Sequence, residues 1–219
     1  LSWAFGQGAG TRVIVNVGGI ANLCLLAPGR DVIGFDTGTG NTLLDRWTRR
    51  CLDLPYDDGG RWSAGGRPDP DLLAACLSDP WFSLPPPKST GRETFNEDWL
   101  DRRISEAGKV IDDVNVAATL IELTAATIVA AIDALDPGDY ELIVYGGGAR
   151  NATLMARLGT LAGRTPRTMA DFGIDPDYVE AAAMAWLARC RVEHEQGNLP
   201  TVTAARQGAI LGALYCGDP

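Results

Sequence analysis

Twice in this chain a short apolar run ends in a glycine cluster and gives way to a helical pattern, and that repeated order leaves few folds open. In the first case Asp31–Phe35 leads into Asp36-Thr37-Gly38-Thr39-Gly40-Asn41. Residues 42–52 then place Leu43, Leu44 and Trp47 on one helical face. In the second, the strand-like Glu141–Tyr145 enters Gly146-Gly147-Gly148-Ala149, and Asn151–Leu161 has helical spacing. Upstream of both, Val13–Leu26 reads as two strands hinged at Gly18-Gly19, the signature of a hairpin. Strands that alternate with helices predict a layered α/β domain.

The remaining segments extend this pattern. Asn115–Leu135 is the clearest helix, with Leu120, Leu123, Ile128 and Ile132 available to one apolar face and Pro137-Gly138 as its stop. Asp177–His194 is a further helix, with Pro176 suited to its first turn and Gly197 beyond its end. Residues 207–215 predict a short helix or strand. Between 53 and 100 regular periodicity fails and most of the prolines collect; such an excursion is usually functional or flexible, with short helices expected at 71–77 and 96–107. Internal repeats are not evident.

A chain of 219 residues, 46% hydrophobic and 21% charged, has enough apolar material for one large α/β domain or two small ones. The net charge of −9 argues against a nucleic-acid partner, which would require clustered Lys and Arg. The most apolar stretch, Val114–Leu135, is interrupted by Asn115, Glu122 and Asp133, so it reads as a helix of a soluble fold and not as a membrane span. No basic segment followed by an apolar signal core opens the chain. Cys24, Cys51, Cys76, Cys190 and Cys216 include no close pair that would suggest a zinc clip or a redox dithiol. Together these features predict a cytoplasmic protein with reduced thiols and no membrane partner. The chain opens on Leu1 and enters a strand almost at once, which reads as a piece of a longer protein.

Both glycine clusters sit where α/β domains place ligands, after a strand and before a helix. Neither has the spacing of a G-x-x-x-x-G-K-[ST] phosphate loop or a G-x-G-x-x-G dinucleotide turn, and tight turns account for the glycines equally well. Asp36 stands at the entrance to the first cluster, where a carboxylate could act on a ligand over the sheet, or could cap an Asx turn. The sole histidine, His194, lies between Glu193 and Glu195 at a polar helix end, so a histidine-based nucleophilic triad is not expected. Lys88 and Arg92 could bind an anionic substrate group or belong to an exposed basic loop.

Six segments in order resemble the anhydro-N-acetylmuramic acid kinase family. They are residues 16–22 (NVGGIAN), 34–38 with Gly40-Asn41 (GFDTG, GN), 86–93 with Phe95-Asn96 (PPKSTGRE, FN), 118–120 with 122–125 (ATL, ELTA), 146–149 with Asn151 (GGGA, N), and Glu180-Ala181 with 185–188 (AWLA). Thr39 departs from the family's usual Pro and Ala204 from its usual Gly; Ala204 would be strained if the position needs a positive φ.

That resemblance implies an actin-like ATPase or sugar-kinase (ribonuclease H-like) α/β fold, of which residues 1–219 would form the C-terminal, second lobe with associated helices. It implies ATP and Mg²⁺ as cofactors, an amino-sugar substrate and no protein-held metal, with a homodimer left open. Asp36 would be the general base for a water that opens the 1,6-anhydro ring of anhydro-N-acetylmuramic acid as the sugar is phosphorylated. Glu180, Lys88 and Arg92 would contact substrate. Asn16, Gly18, Gly19, Gly38, Gly40, Asn41, Gly146, Gly147, Gly148 and Asn151 would approach the nucleotide. The family's N-terminal Gly-Thr-Ser and Asp-Gly phosphate loop has no counterpart here, so the isolated chain is expected to lack kinase activity. A kinase for another sugar, or a non-catalytic sugar-binding or regulatory remnant, are the alternative readings.

Overall fold

A computed structural model describes residues 10–215. Its sheet has the order β3-β2-β1-β4-β5. β1 (Thr11–Val17) pairs antiparallel with β2 (Ile20–Leu26), and β2 pairs antiparallel with β3 (Ile33–Thr39). β4 (Tyr140–Tyr145) and β5 (Arg167–Thr168) run parallel to β1. The hairpin turns at Gly18-Gly19, as the pattern predicts. Order and strand sense together are those of the ribonuclease H-like arrangement.

β3 differs from its expected extent. It runs on through Thr39 because Thr39 and Gly38 find partners in Ile20 and Ala21, with a register shift at Ala21/Asn22. Asp36 is therefore a strand residue and not the first residue of a loop. Thr39 is buried in that strand.

The helices are α1 (Thr42–Leu52), α2 (Pro70–Leu77), α3 (Glu97–Glu106), α4 (Asp113–Leu135), α5 (Ala152–Ala162) and α6 (Val179–Val192), followed by a single turn at Pro200–Thr203. Local chemistry sets their ends. Asp69 accepts from the N–H groups of Asp71 and Leu72 with Pro70 at the first position of α2, and Asn96 caps α3 through Trp99 N–H. α4 stops at Asp136 in a left-handed conformation, ahead of Pro137-Gly138.

α4 lies across one face of the sheet and buries Leu120, Leu123, Ile128 and Ile132 against Val13, Val15, Leu23 and Leu25. Each such side chain contributes about 1.5–3 kcal/mol relative to exposure. By length and composition α4 could cross a bilayer, but 78% of its apolar window is buried inside the fold, which marks a core helix. The excursion after α1 wraps this same layer: short 3₁₀ turns at Asp58–Gly60, Ser63–Gly65 and Pro80–Ser83 join α2 and α3, and Leu72, Cys76, Phe95 and Trp99 enter the core. Residues 207–215 form neither helix nor strand, contrary to expectation. Their apolar side chains, Ile210, Leu214 and Tyr215 among them, are exposed, so no burial supports a regular element there.

Candidate active site

The parallel strands β1, β4 and β5 end at one edge of the sheet, and the antiparallel pairing brings the end of β3 to the same edge. All the glycine clusters meet there. Backbone N–H groups of Gly40 and Thr42 donate to Gly19 O at 3.0 and 3.1 Å, and Asn41 N–H donates to Gly18 O at 2.8 Å. The Asn41 amide donates to Val17 O at 3.1 Å. A Cβ on Gly40 would fall 2.4 Å from Gly18 O, and one on Gly38 would strike Phe82 at 2.7 Å. Gly40 locks the hairpin to the β3–α1 junction by close approach, and Gly38 admits the Phe82 ring against β3.

In the second cluster Gly146 has a φ of +82° and lies where a Cβ would be 2.4 Å from Asn16 Oδ1; one on Gly148 would be 2.4 Å from Val17. Gly147 is different. It is exposed, and a Cβ there would meet only Asn41 Nδ2, at 3.5 Å. Packing demands glycine at 146 and 148, while at 147 the bare backbone is open to a ligand. Asn151 is buried as the N-cap of α5, its Oδ1 accepting from Leu154 N–H at 3.0 Å.

Asp36 is held from outside the sheet. Its Oδ2 accepts from Ser89 Oγ at 2.8 Å and Thr90 N–H at 2.9 Å, and its own N–H donates to Lys88 O at 3.0 Å. Among the described residues Oδ1 accepts no hydrogen bond. The carboxylate borders a cavity of about 770 Å³, which is also lined by Trp186 of α6 and by Asn198, Leu199 and Val202 of the following segment. Val202 packs onto Gly34, and Thr201 Oγ1 donates to Val32 O at 2.7 Å, which ties that segment to the β3 edge.

The expected substrate contacts are dispersed. The Lys88 ammonium donates to Phe82 O at 2.9 Å and lies 4.4 Å from the Trp81 ring centroid, and burial lowers its pKa. Lys88 therefore fastens the 81–90 segment that carries Ser89. Arg92 lies against Gly19 and Thr42 at the hairpin turn, within the field of Asp45. Glu180 lines a second cavity, of about 340 Å³, with Asn16, Gly146, Gly147 and Arg150. Tyr145 borders both cavities. Burial pushes its phenol up to about 12, with Cys24 and Glu180 adding to the rise.

No group of three His, Cys, Asp or Glu side chains suited to a metal occurs among the described residues. Among the described residues the donor set thus offers no ready-made cage for Mg²⁺, and the exposed backbone at Gly147 leaves open space at the rim of the smaller cavity. Of the five cysteines, Cys216 lies outside the described residues; the other four are free thiols. His194 is exposed, at the polar end of α6. Ser89, Thr90, Tyr145 and Trp186 escape sequence reasoning as site residues. Ser89 and Thr90 stand inside a quoted motif, but nothing local says that they meet a carboxylate 53 and 54 residues away.

A ribonuclease H-like sheet, a clamped carboxylate over one cavity and a glycine-lined second cavity at the same edge define an α/β domain with two adjoining cavities on one sheet face. Comparison with known proteins makes the class specific. A family model described as anhydro-N-acetylmuramic acid kinase matches residues 2–217, and the chain belongs to that family. The anhydro-N-acetylmuramic acid kinase of Pseudomonas fluorescens (strain Pf0-1) is 46% identical over 212 residues, which cover 96% of this chain and 58% of the relative. The enzyme of the same name from Cupriavidus pinatubonensis is 48% identical over 215 residues, 96% of this chain and 57% of the relative. The chain thus spans somewhat over half the length of these relatives. Among solved structures, an activator of 2-hydroxyisocaproyl-CoA dehydratase from Clostridium difficile aligns at 13% identity with a TM-score of 0.48, covering 72% of this chain and 53% of the other.

Proposed function

We propose that this chain is the C-terminal lobe of an ATP-dependent kinase that opens 1,6-anhydro-N-acetylmuramic acid and phosphorylates it, giving N-acetylmuramic acid 6-phosphate for cell-wall recycling. The observation that carries the reading is the fixed carboxylate of Asp36, anchored through Oδ2 with Oδ1 left without a hydrogen-bond partner among the described residues beside the larger cavity. A water at that cavity gives a proton to Asp36 as its oxygen bonds to the anomeric carbon. The bond from that carbon to O6 breaks, and O6 takes the γ-phosphoryl group as ADP leaves. General-base assistance of this kind is worth roughly 10²–10⁴ in rate.

The nucleotide would lie over Gly146 and Gly147 near Asn16 and Glu180, with Gly18, Gly19 and Asn41 shaping the adjoining edge. Mg²⁺ would be bound chiefly through the phosphates. Glu180, expected to contact the sugar, lines the smaller cavity beside Gly146 and Gly147, which supports a role for it where substrate and nucleotide meet. Four free cysteines among the described residues support a reducing, cytoplasmic setting.

Asp36→Asn in a catalytically competent form carrying both lobes tests the assignment. Turnover should fall by at least about 10², with nucleotide affinity unchanged; normal turnover would discard Asp36 as base. The isolated 219-residue chain is expected to show no kinase activity. Calorimetry that finds sugar binding with no nucleotide binding under any condition would favour a sugar-binding remnant.

A further inference from the structure

Strand register sets Asp36 opposite Asn22, Asn22 opposite Asn16, and Asn16 opposite Tyr145. Directly paired residues point to the same face of a sheet, so these four side chains make one row across β3, β2, β1 and β4, about 14 Å long at three inter-strand spacings. On the other face the same strands bury Val15, Leu23, Phe35 and Val144 beneath the helices. Asp36, Asn22 and Tyr145 line the larger cavity, and Asn16 and Tyr145 the smaller, so the row runs from one into the other.

Three members of the row find no hydrogen-bond partner inside the fold, although Tyr145 packs its ring against the smaller apolar cluster around Ile14 and Ile143. Asn22, Asn16 and Tyr145 are only partly buried, and among the described residues none of their side chains makes a hydrogen bond. Sheltered polar groups are normally paired, by protein or by what binds to them. An amide beside a carboxylate suits a ligand rich in hydroxyl and amide groups, since Asn both donates and accepts. The phenol, neutral across the physiological range, is a donor at the boundary of the two cavities.

We infer that Asn22 and Tyr145 belong to the ligand-binding wall: Asn22 hydrogen-bonds the sugar beside Asp36, and Tyr145 stands where the transferred phosphoryl group crosses from nucleotide to sugar. This rests on the kinase reading above and adds to it the residues that join the two ligand sites.

Calorimetric titration of the 219-residue chain with 1,6-anhydro-N-acetylmuramic acid and with a non-hydrolysable ATP analogue, combined with melting curves, tests it. Asn22→Val should weaken the sugar about tenfold, the loss of roughly one hydrogen bond, and leave the nucleotide unaffected. Its melting temperature should hold or rise, because an unpartnered polar group gives way to a β-branched residue on a strand. Tyr145→Phe should keep each ligand's own affinity within about twofold and abolish the effect of one ligand on the other. A fall of several degrees in the Asn22→Val melting temperature would show that Asn22 holds the sheet together and overturn its assignment. Unchanged sugar affinity in Asn22→Val, or undiminished coupling in Tyr145→Phe, overturns the corresponding assignment while the kinase reading stands. No binding of either ligand to the unmodified chain overturns this inference, whereas the kinase reading is decided separately by Asp36→Asn turnover in the form carrying both lobes.

Discussion

The two faces of the sheet differ in almost every physical respect. Among the described residues, twenty-eight buried apolar residues form the cluster on the α4 side, against five on the other, which gather around Ile14, Ile143 and Met169. Toward β3 that second face carries polar side chains over a cavity. The same strands thus present a stabilising surface and a polar one, and the period of two along each strand keeps them apart. Stability concentrated on one side leaves the other free to hold partly buried groups that add little to the fold.

The most direct way to break this comparison is to truncate neighbours on opposite faces of β2. Leu25→Ala, at a fully buried core position, should cost about 2–5 kcal/mol in urea unfolding. Asn22→Ala should cost under about 0.5 kcal/mol. Equal costs would mean that both faces carry the fold.

Ala204 sharpens the comparison at the rim of the cavity. It has a φ of +55°, a left-handed conformation unfavourable for a residue with a Cβ, so the strain anticipated for that position is present. Ala204→Gly should raise stability by about 1 kcal/mol, seen as a higher melting temperature. A loss would mean that the methyl group contributes packing that outweighs the strain.

The smallest expected effect is electrostatic and lies at the start of α1. Burial raises the Asp45 carboxyl from 3.8 to about 6, against the opposing pull of Arg49 and Arg92. The folded state then binds more protons than the unfolded state between those two values, so stability falls as pH rises through that window. Asp45→Asn should flatten this part of the pH–stability curve and add under about 1 kcal/mol at pH 7, since Asp45 is only half-buried and solvent screens it. An unaltered curve would show that Asp45 titrates normally.

Much of the architecture was legible beforehand because it follows from short-range rules. The hairpin at Gly18-Gly19, the stop at Pro137-Gly138 and the apolar stripe of α4 each arise from backbone freedom or periodicity within a few residues. The extension of β3 through Thr39 was not legible, since it depends on Ile20 and Ala21 as partners across the sheet. Residues 207–215 misled for the converse reason: an apolar pattern predicts a regular element only where something covers it. Lys88 and Arg92 could be picked out as cations, but where their charges lie is a matter of the fold.

By itself the sequence determined the α/β class, the principal helices, the glycine-rich strand ends and, through six ordered segments, the family, because each is written in contiguous residues. Only the tertiary structure decided that Ser89 and Thr90 grip Asp36, that Glu180 faces the smaller cavity, and that Asp36, Asn22, Asn16 and Tyr145 stand in one row. Those relations are set by strand register and by loops that return from far along the chain, and no local pattern of residues encodes either.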